Sequence, residues 1–192
     1  MSLVDRVKAI LLAPQKEWHV IEAESATTAS LYSGYIIPLA AIPAIAGFIG
    51  MSMIGVSALG TNFRIPMVSG LTGAIVRYAG TLAGVYVLAL IIDALAPSFG
   101  GTKNQIQSLK LAAYSSTASW LAGIFLLLPG LRVLSILGVY SLYLLFVGLP
   151  VMTKSPPDKA LGYTVVVILS AIVVAVLVGA VASTIVGYGS WY

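Results

Sequence analysis

The stretch Val68–Pro97 constrains this chain more than any other. It is apolar for longer than a bilayer is thick, yet it carries Arg77 within it and Asp93 near its far end. A spanning helix needs about 20 apolar residues, and a charge at the bilayer centre costs roughly 2.5–3.5 kcal/mol on insertion scales. Arg77 must therefore be anchored or functional. Gly73, Arg77, Thr81 and Gly84 recur at helical spacing. Small-residue faces pack against other helices, so Arg77 is expected to look into a bundle. Asp93 follows sixteen residues later, about 24 Å along a helix, too far to be its partner.

The rest of the chain is built the same way. Of 192 residues, 59% are hydrophobic and 8% charged, where an average soluble domain is about 25% charged; the mean hydropathy is +1.03. These values describe an all-α, polytopic membrane protein in which no stretch outside the membrane is long enough to bury its own core. The absence of cysteine excludes disulfides, thiol catalysis and thiolate metal sites. The few basic residues are scattered among short loops, which argues against nucleic-acid binding. No signal peptide is expected, because Asp5, Arg6 and Lys8 interrupt the first apolar run.

Two parts are expected: a cytoplasmic head over residues 1–30 and a five-helix membrane domain over 31–192. Ser2 and Asp5 have the spacing of a capping box. Leu3, Val4, Val7, Ile10 and Leu11 share a face opposite Asp5, Arg6 and Lys8. This reads as a short amphipathic helix, lying on the membrane surface or packed under the bundle. From Pro14 to Thr28 the chain is polar and reads as irregular, with Trp18 at headgroup level. Lys16, Glu17, Trp18 and Glu22 are the candidates for docking a membrane-protein partner there.

Spans are expected at about 31–54, 68–96, 107–128, 131–152 and 163–186. Pro38 and Pro43 interrupt the first and deprive the carbonyls of Gly34 and Leu39 of their donors. Arg77, Gly34, Tyr35, Pro38, Leu39, Pro43, Tyr114 and Tyr140 together form a candidate intramembrane polar site. Asp93 is expected to pair with Lys110, or else Lys103, across the Gly100-Gly101 turn. Ala171, Ala175, Gly179 and Ser183 make a small-residue seam in the last span, suited to packing within the bundle or between copies. With the N-terminus inside, Arg6, Lys8, Lys16, Lys103, Lys110, Lys154 and Lys159 are cytoplasmic, and only Arg64 and Arg132 lie in outer loops. That asymmetry predicts an N-in, C-out topology.

Several stretches together are similar to a known family. They are the opening Arg6-Val7-Lys8-Ala9-Ile10-Leu11-Leu12 with Pro14 and Glu17-Trp18, the segment Tyr35-Ile36-Ile37-Pro38-Leu39, and the run from Gly148-Leu149-Pro150 through Pro156-Pro157-Asp158-Lys159-Ala160-Leu161-Gly162-Tyr163. With the five-span plan, they make the chain resemble the short prokaryotic branch of the Yip family (Ypt/Rab-interacting proteins). The resemblance implies a helical integral membrane protein, in the inner membrane of a prokaryote, with no known enzymatic activity. Eukaryotic relatives bind prenylated Rab-type GTPases; their Asp-Leu-Tyr/Trp-Gly-Pro motif is not found here.

The leading expectation is a scaffold or adaptor that binds membrane proteins or lipid. The alternative is a small transporter or channel built around Arg77 and the proline-broken first span. An intramembrane enzyme is disfavoured: H-E-x-x-H, G-x-S-x-G and P-loop motifs are lacking. His19 is the one histidine, and with Glu17, Glu22 and Glu24 it makes at most a weak metal set. No catalytic residue, metal or cofactor is expected.

Overall fold

Ser2 starts the first helix by accepting a hydrogen bond from the Asp5 amide at 3.1 Å. The computed structural model describes residues 1–58 and 61–186; for 56–58, 61–62, 177–179 and 181–186 it describes the backbone only. Helix α1 spans Leu3–Leu12. Pro14, at the first position of the next helix, opens α2, Pro14–Ala23. The polar stretch expected to be irregular is thus largely helical, with Pro14, Glu17, Trp18 and Ile21 buried along one face.

The first long helix, α3, runs Thr28–Ile54. Proline cannot donate to the ladder, and the chain meets Pro38 with a π-helical turn over Tyr32–Ile36, where the Ile37 amide reaches the Tyr32 carbonyl. A second π segment, Ile49–Ile54, ends the helix. A short antiparallel hairpin of β1 (Val56–Ala58) and β2 (Thr61–Phe63) follows, with Val56 opposite Phe63. It fills the connection between the expected spans at 31–54 and 68–96.

Helix α4, Met67–Leu95, continues as a 3-10 turn to Phe99 and packs against α3, α5 and α8. Its packed face is Tyr78, Leu82, Val85, Ala89 and Ile92. The expected third span has a different form. It is built from α5 (Gln105–Ser115), α6 (Thr117–Ala122) and a 3-10 stretch, Gly123–Leu127. Ser116, Thr117 and Ser119 all bond back to carbonyls three or four residues earlier, a pattern that bends helices, and the break falls at Ser116. After the Pro129 turn, a 3-10 segment, Pro129–Val139, leads into α7, Tyr140–Thr153. The last helix, α8, is Ala160–Val186.

Among the described residues, four helical stretches are long and apolar enough to cross a membrane: 28–54, 67–99, 129–153 and 157–176. The core lies where α2, α3, α5 and α7 meet, around the fully buried Trp18, Ile21, Ile36, Leu111, Leu144 and Leu149.

Candidate functional site

The chain's polar chemistry collects where the head meets the bundle. Arg6 and Ile10, one turn apart on α1, both face inward, so Arg6 is not on the solvent side as its charge suggested, and Glu17, Trp18 and Ile21 of α2 are buried with them. Arg6 is 6% exposed and forms ion pairs with both Glu17 and Glu24. Its guanidinium lies 5.9 Å from the centre of the Tyr114 ring. Burial opposes the charge on Arg6, but the Glu24 hydrogen bond and the field of both carboxylates outweigh it, holding its pKa above the ordinary arginine value.

Around this triad, bundle side chains take up backbone carbonyls of the head. Lys110, 2% exposed, donates from Nζ to the Ile21 carbonyl at 2.9 Å and to that of Glu24. Gln107 donates to the Glu22 carbonyl at 2.9 Å, and the Tyr140 hydroxyl to that of Leu11 at 3.0 Å. Glu22 also lies 3.6 Å from Lys154. The last carbonyls of a helix have no partner within it, and a cation there is favoured by the helix dipole. Lys110 serves both needs at the end of α2. Lys110→Met should therefore lower stability by about 2 kcal/mol through two unsatisfied carbonyls, read as a drop in unfolding temperature in detergent.

Trp18 completes the junction. A Cβ on Gly148 would stand 2.4 Å from the indole, closer than real atoms approach, so only glycine lets Trp18 seat there. Trp18 meets Tyr114 edge-on at 6.4 Å, and Tyr35 packs against Tyr114 at 4.4 Å. The Tyr35 hydroxyl bonds Thr117 at 2.7 Å. Beside this aromatic row, an open cleft of about 530 Å³ is lined by Arg6, Glu24, Ser30, Gly34, Tyr35 and Tyr114. The arrangement is a charged clamp: Arg6 and Lys110 sit among Glu17, Glu24 and helix-end carbonyls.

The structure brings together only part of the expected intramembrane site. Tyr35 and Tyr114 are joined; Tyr140 is tied to the head instead. Pro43 packs against Gly123, and Leu39 is buried in the core. Gly34 is exposed. Arg77 is also exposed, not turned into the bundle. The larger residues one position along, from Tyr78 to Ile92, form the packed face of α4, and Gly84 on the small-residue face meets nothing within 4 Å. The Arg77 guanidinium reaches Gly47, not Gly34 or Leu39.

Asp93 and Lys110 are not paired in the structure. The carbonyls ending α2 hold the ammonium, and Asp93 Oδ1 is buried with no hydrogen bond. Glu17 and Trp18 are consumed inside the junction, which leaves Lys16 exposed and Glu22 half-buried. Ala171 and Ala175 lie on α8; Gly179 and Ser183 fall outside the residues whose side chains are described. The residues missed in the sequence are Arg6, Glu24, Gln107 and Gly148. Arg6 and Glu24 were legible only as surface charges.

The comparisons with known proteins cover this same extent. Residues 8–179 match the Yip1 domain. Inner membrane protein YohC of Escherichia coli strain K12 is 28% identical over 181 residues, 92% of this chain and 93% of that protein. YohC of the O6:H1 strain matches equally. No solved structure matches. The matched region takes in the clamp residues from Glu17 to Gly148 together with the apolar helices that make this an integral, multi-pass membrane protein, and the chain belongs to the Yip1-domain family.

Proposed function

We propose that the protein is a membrane adaptor, without catalysis of its own, that presents its head helices rigidly to a membrane-protein partner. The observation carrying this is the clamp. Lys110, Gln107 and Tyr140 of the bundle hold backbone carbonyls of α1 and α2, and the hydroxyls of Tyr35 and Thr117 bond one another, so these groups are committed to holding the head and the bundle together. Lys16, His19 and Val20 remain exposed on the outer face of α2, as a docking surface would require.

In this reading the chain crosses the inner membrane five times, N-in and C-out. Residues 105–127 pack antiparallel along 129–153: α5 lies against α7, and α6 and the 3-10 stretch lie against Pro129–Val139. At 1.5 Å per α residue and about 2.0 Å per 3-10 residue, 105–127 extends roughly 35 Å, enough for a core of about 30 Å. If its partner crosses, this segment crosses with it.

Photo-crosslinking residues at positions 16 and 19 should capture a discrete membrane-protein adduct, absent with a crosslinker at Leu169 on α8. The transporter reading predicts instead that single cysteines at Gly73, Arg77, Gly84, Ser116 and Tyr140 react with a membrane-impermeant thiol reagent. Protection of Gly73, Arg77 and Gly84 supports the adaptor; labelling of all three would sink it.

A further inference from the structure

The charges of this protein are segregated, and among the described residues one set faces no acid. Arg64, Arg77 and Arg132 lie toward the end of the bundle away from the head. All six acids lie elsewhere. Glu17 and Glu24 hold Arg6, Glu22 faces Lys154, Asp5 accepts from the Ser2 hydroxyl at the start of α1, Asp158 sits in the turn before α8, and Asp93 is near the other end of α4. Among the described residues, the guanidiniums of Arg64 and Arg77 make no hydrogen bond or ion pair.

Two of these arginines converge on α3. Arg77 Nη1 is 3.9 Å from where a Cβ on Gly47 would stand. Arg132 contacts Met51 through its terminal nitrogen, while its Nε is buried with no partner. Gly47 and Met51 are four residues apart, about 6 Å along the helix. Gly50 between them explains the approach of the second arginine: a Cβ there would collide with the Leu126 carbonyl at 2.0 Å. Glycine thus lets the 3-10 stretch Gly123–Leu127, which leads into the segment carrying Arg132, descend onto α3.

We propose that Arg77 and Arg132 form a binding site for the phosphate of an anionic membrane lipid. Guanidinium forks match phosphate oxygens in geometry and charge. Among the described residues the chain supplies no counter-charge nearby, and a phosphate from outside it provides one. Its carrier must also be apolar, since α3 and α4, the helices that bring Gly47 and Arg77 together, expose large apolar side chains such as Ile45, Leu71 and Ile75. A phosphate bearing acyl chains meets both conditions. This site lies apart from the head clamp and does not depend on the adaptor reading.

The test titrates the purified full chain, in uncharged detergent, with three probes while following its unfolding temperature. Dioleoylphosphatidylglycerol should stabilise the protein saturably. Dioleoylglycerol, with the same chains and no phosphate, should not, and neither should inorganic phosphate. Arg77→Gln and Arg132→Gln should each weaken the apparent affinity by roughly tenfold or more, the scale of one charge-assisted hydrogen bond. Lys8→Gln on the head should leave it unchanged. Gly47→Leu, which fills the space under the Arg77 guanidinium and keeps both charges, should weaken it too, and serves if Arg132→Gln does not fold. Equal stabilisation by dioleoylglycerol, or unaltered binding by Arg77→Gln and Gly47→Leu, overturns the site. Stabilisation by inorganic phosphate alone overturns the lipid as its source.

Discussion

Arg6→Leu is expected to destabilise the protein by about 3–5 kcal/mol, the cost of leaving a buried charge uncompensated. Arg6 and Glu17 are 6% and 7% exposed, so the Glu17 carboxylate has little access to water once the guanidinium is gone. Glu24 differs: its side chain is 45% exposed, and Glu24→Gln should cost no more than about 1 kcal/mol. The two measurements are the unfolding temperature in detergent and the protection of the first 25 or so residues from protease. Arg6→Leu should lower the first and abolish the second. The double variant Arg6→Leu, Glu17→Leu should recover most of the loss, because apolar residues often replace a buried ion pair without penalty. An Arg6→Leu protein with unchanged stability and a protected head would mean that water reaches Glu17, and the clamp would have to be redrawn as a surface contact.

The same triad shows what the sequence disclosed and what it concealed. Apolar runs longer than a bilayer announce spans through composition alone, and the described helices at 28–54, 67–99, 129–153 and 157–176 lie over expected ones. The head was harder to read. Pro14, Glu17, Trp18 and Ile21 have the i, i+3, i+4, i+7 spacing of a buried helical face, but a carboxylate on that face breaks the apolar pattern. The stripe becomes visible only once Arg6, eleven residues earlier, is known to neutralise it. Lys110 misleads in a related way. Charge pairing by proximity assigned it to Asp93, whereas the carbonyls ending α2 hold it, and backbone acceptors leave no mark in a sequence. Arg77 misleads through its neighbours. The rule that small faces pack is sound for close helix crossings, but α4 meets its partners with Tyr78, Leu82 and Val85, and the small face stays open.

Trp18→Ala should be as damaging as the loss of Arg6, at about 3–5 kcal/mol, the usual range for deleting a buried aromatic. The indole is fully buried and wedged against Gly148, with Tyr114 at its edge. Its Nε1 is buried without a hydrogen bond, so the contribution comes from packing rather than from the N–H. Trp18→Phe should therefore lose much less than Trp18→Ala, and only in proportion to the volume removed. The contact should be damaged equally well from its other side. Gly148→Val places two methyl groups where the indole lies, and since backbone on both sides is helical, Trp18 must leave its seat. In a protein retaining Trp18 as its sole tryptophan, that departure should shift the emission toward longer wavelength as water reaches the ring, together with a fall in unfolding temperature. Combining Gly148→Val with Trp18→Ala should then cost less than the sum of the two, because the new side chain occupies the vacated space. Strict additivity would show that Trp18 and Gly148 do not bear on one another, and the head would be held by its charges alone.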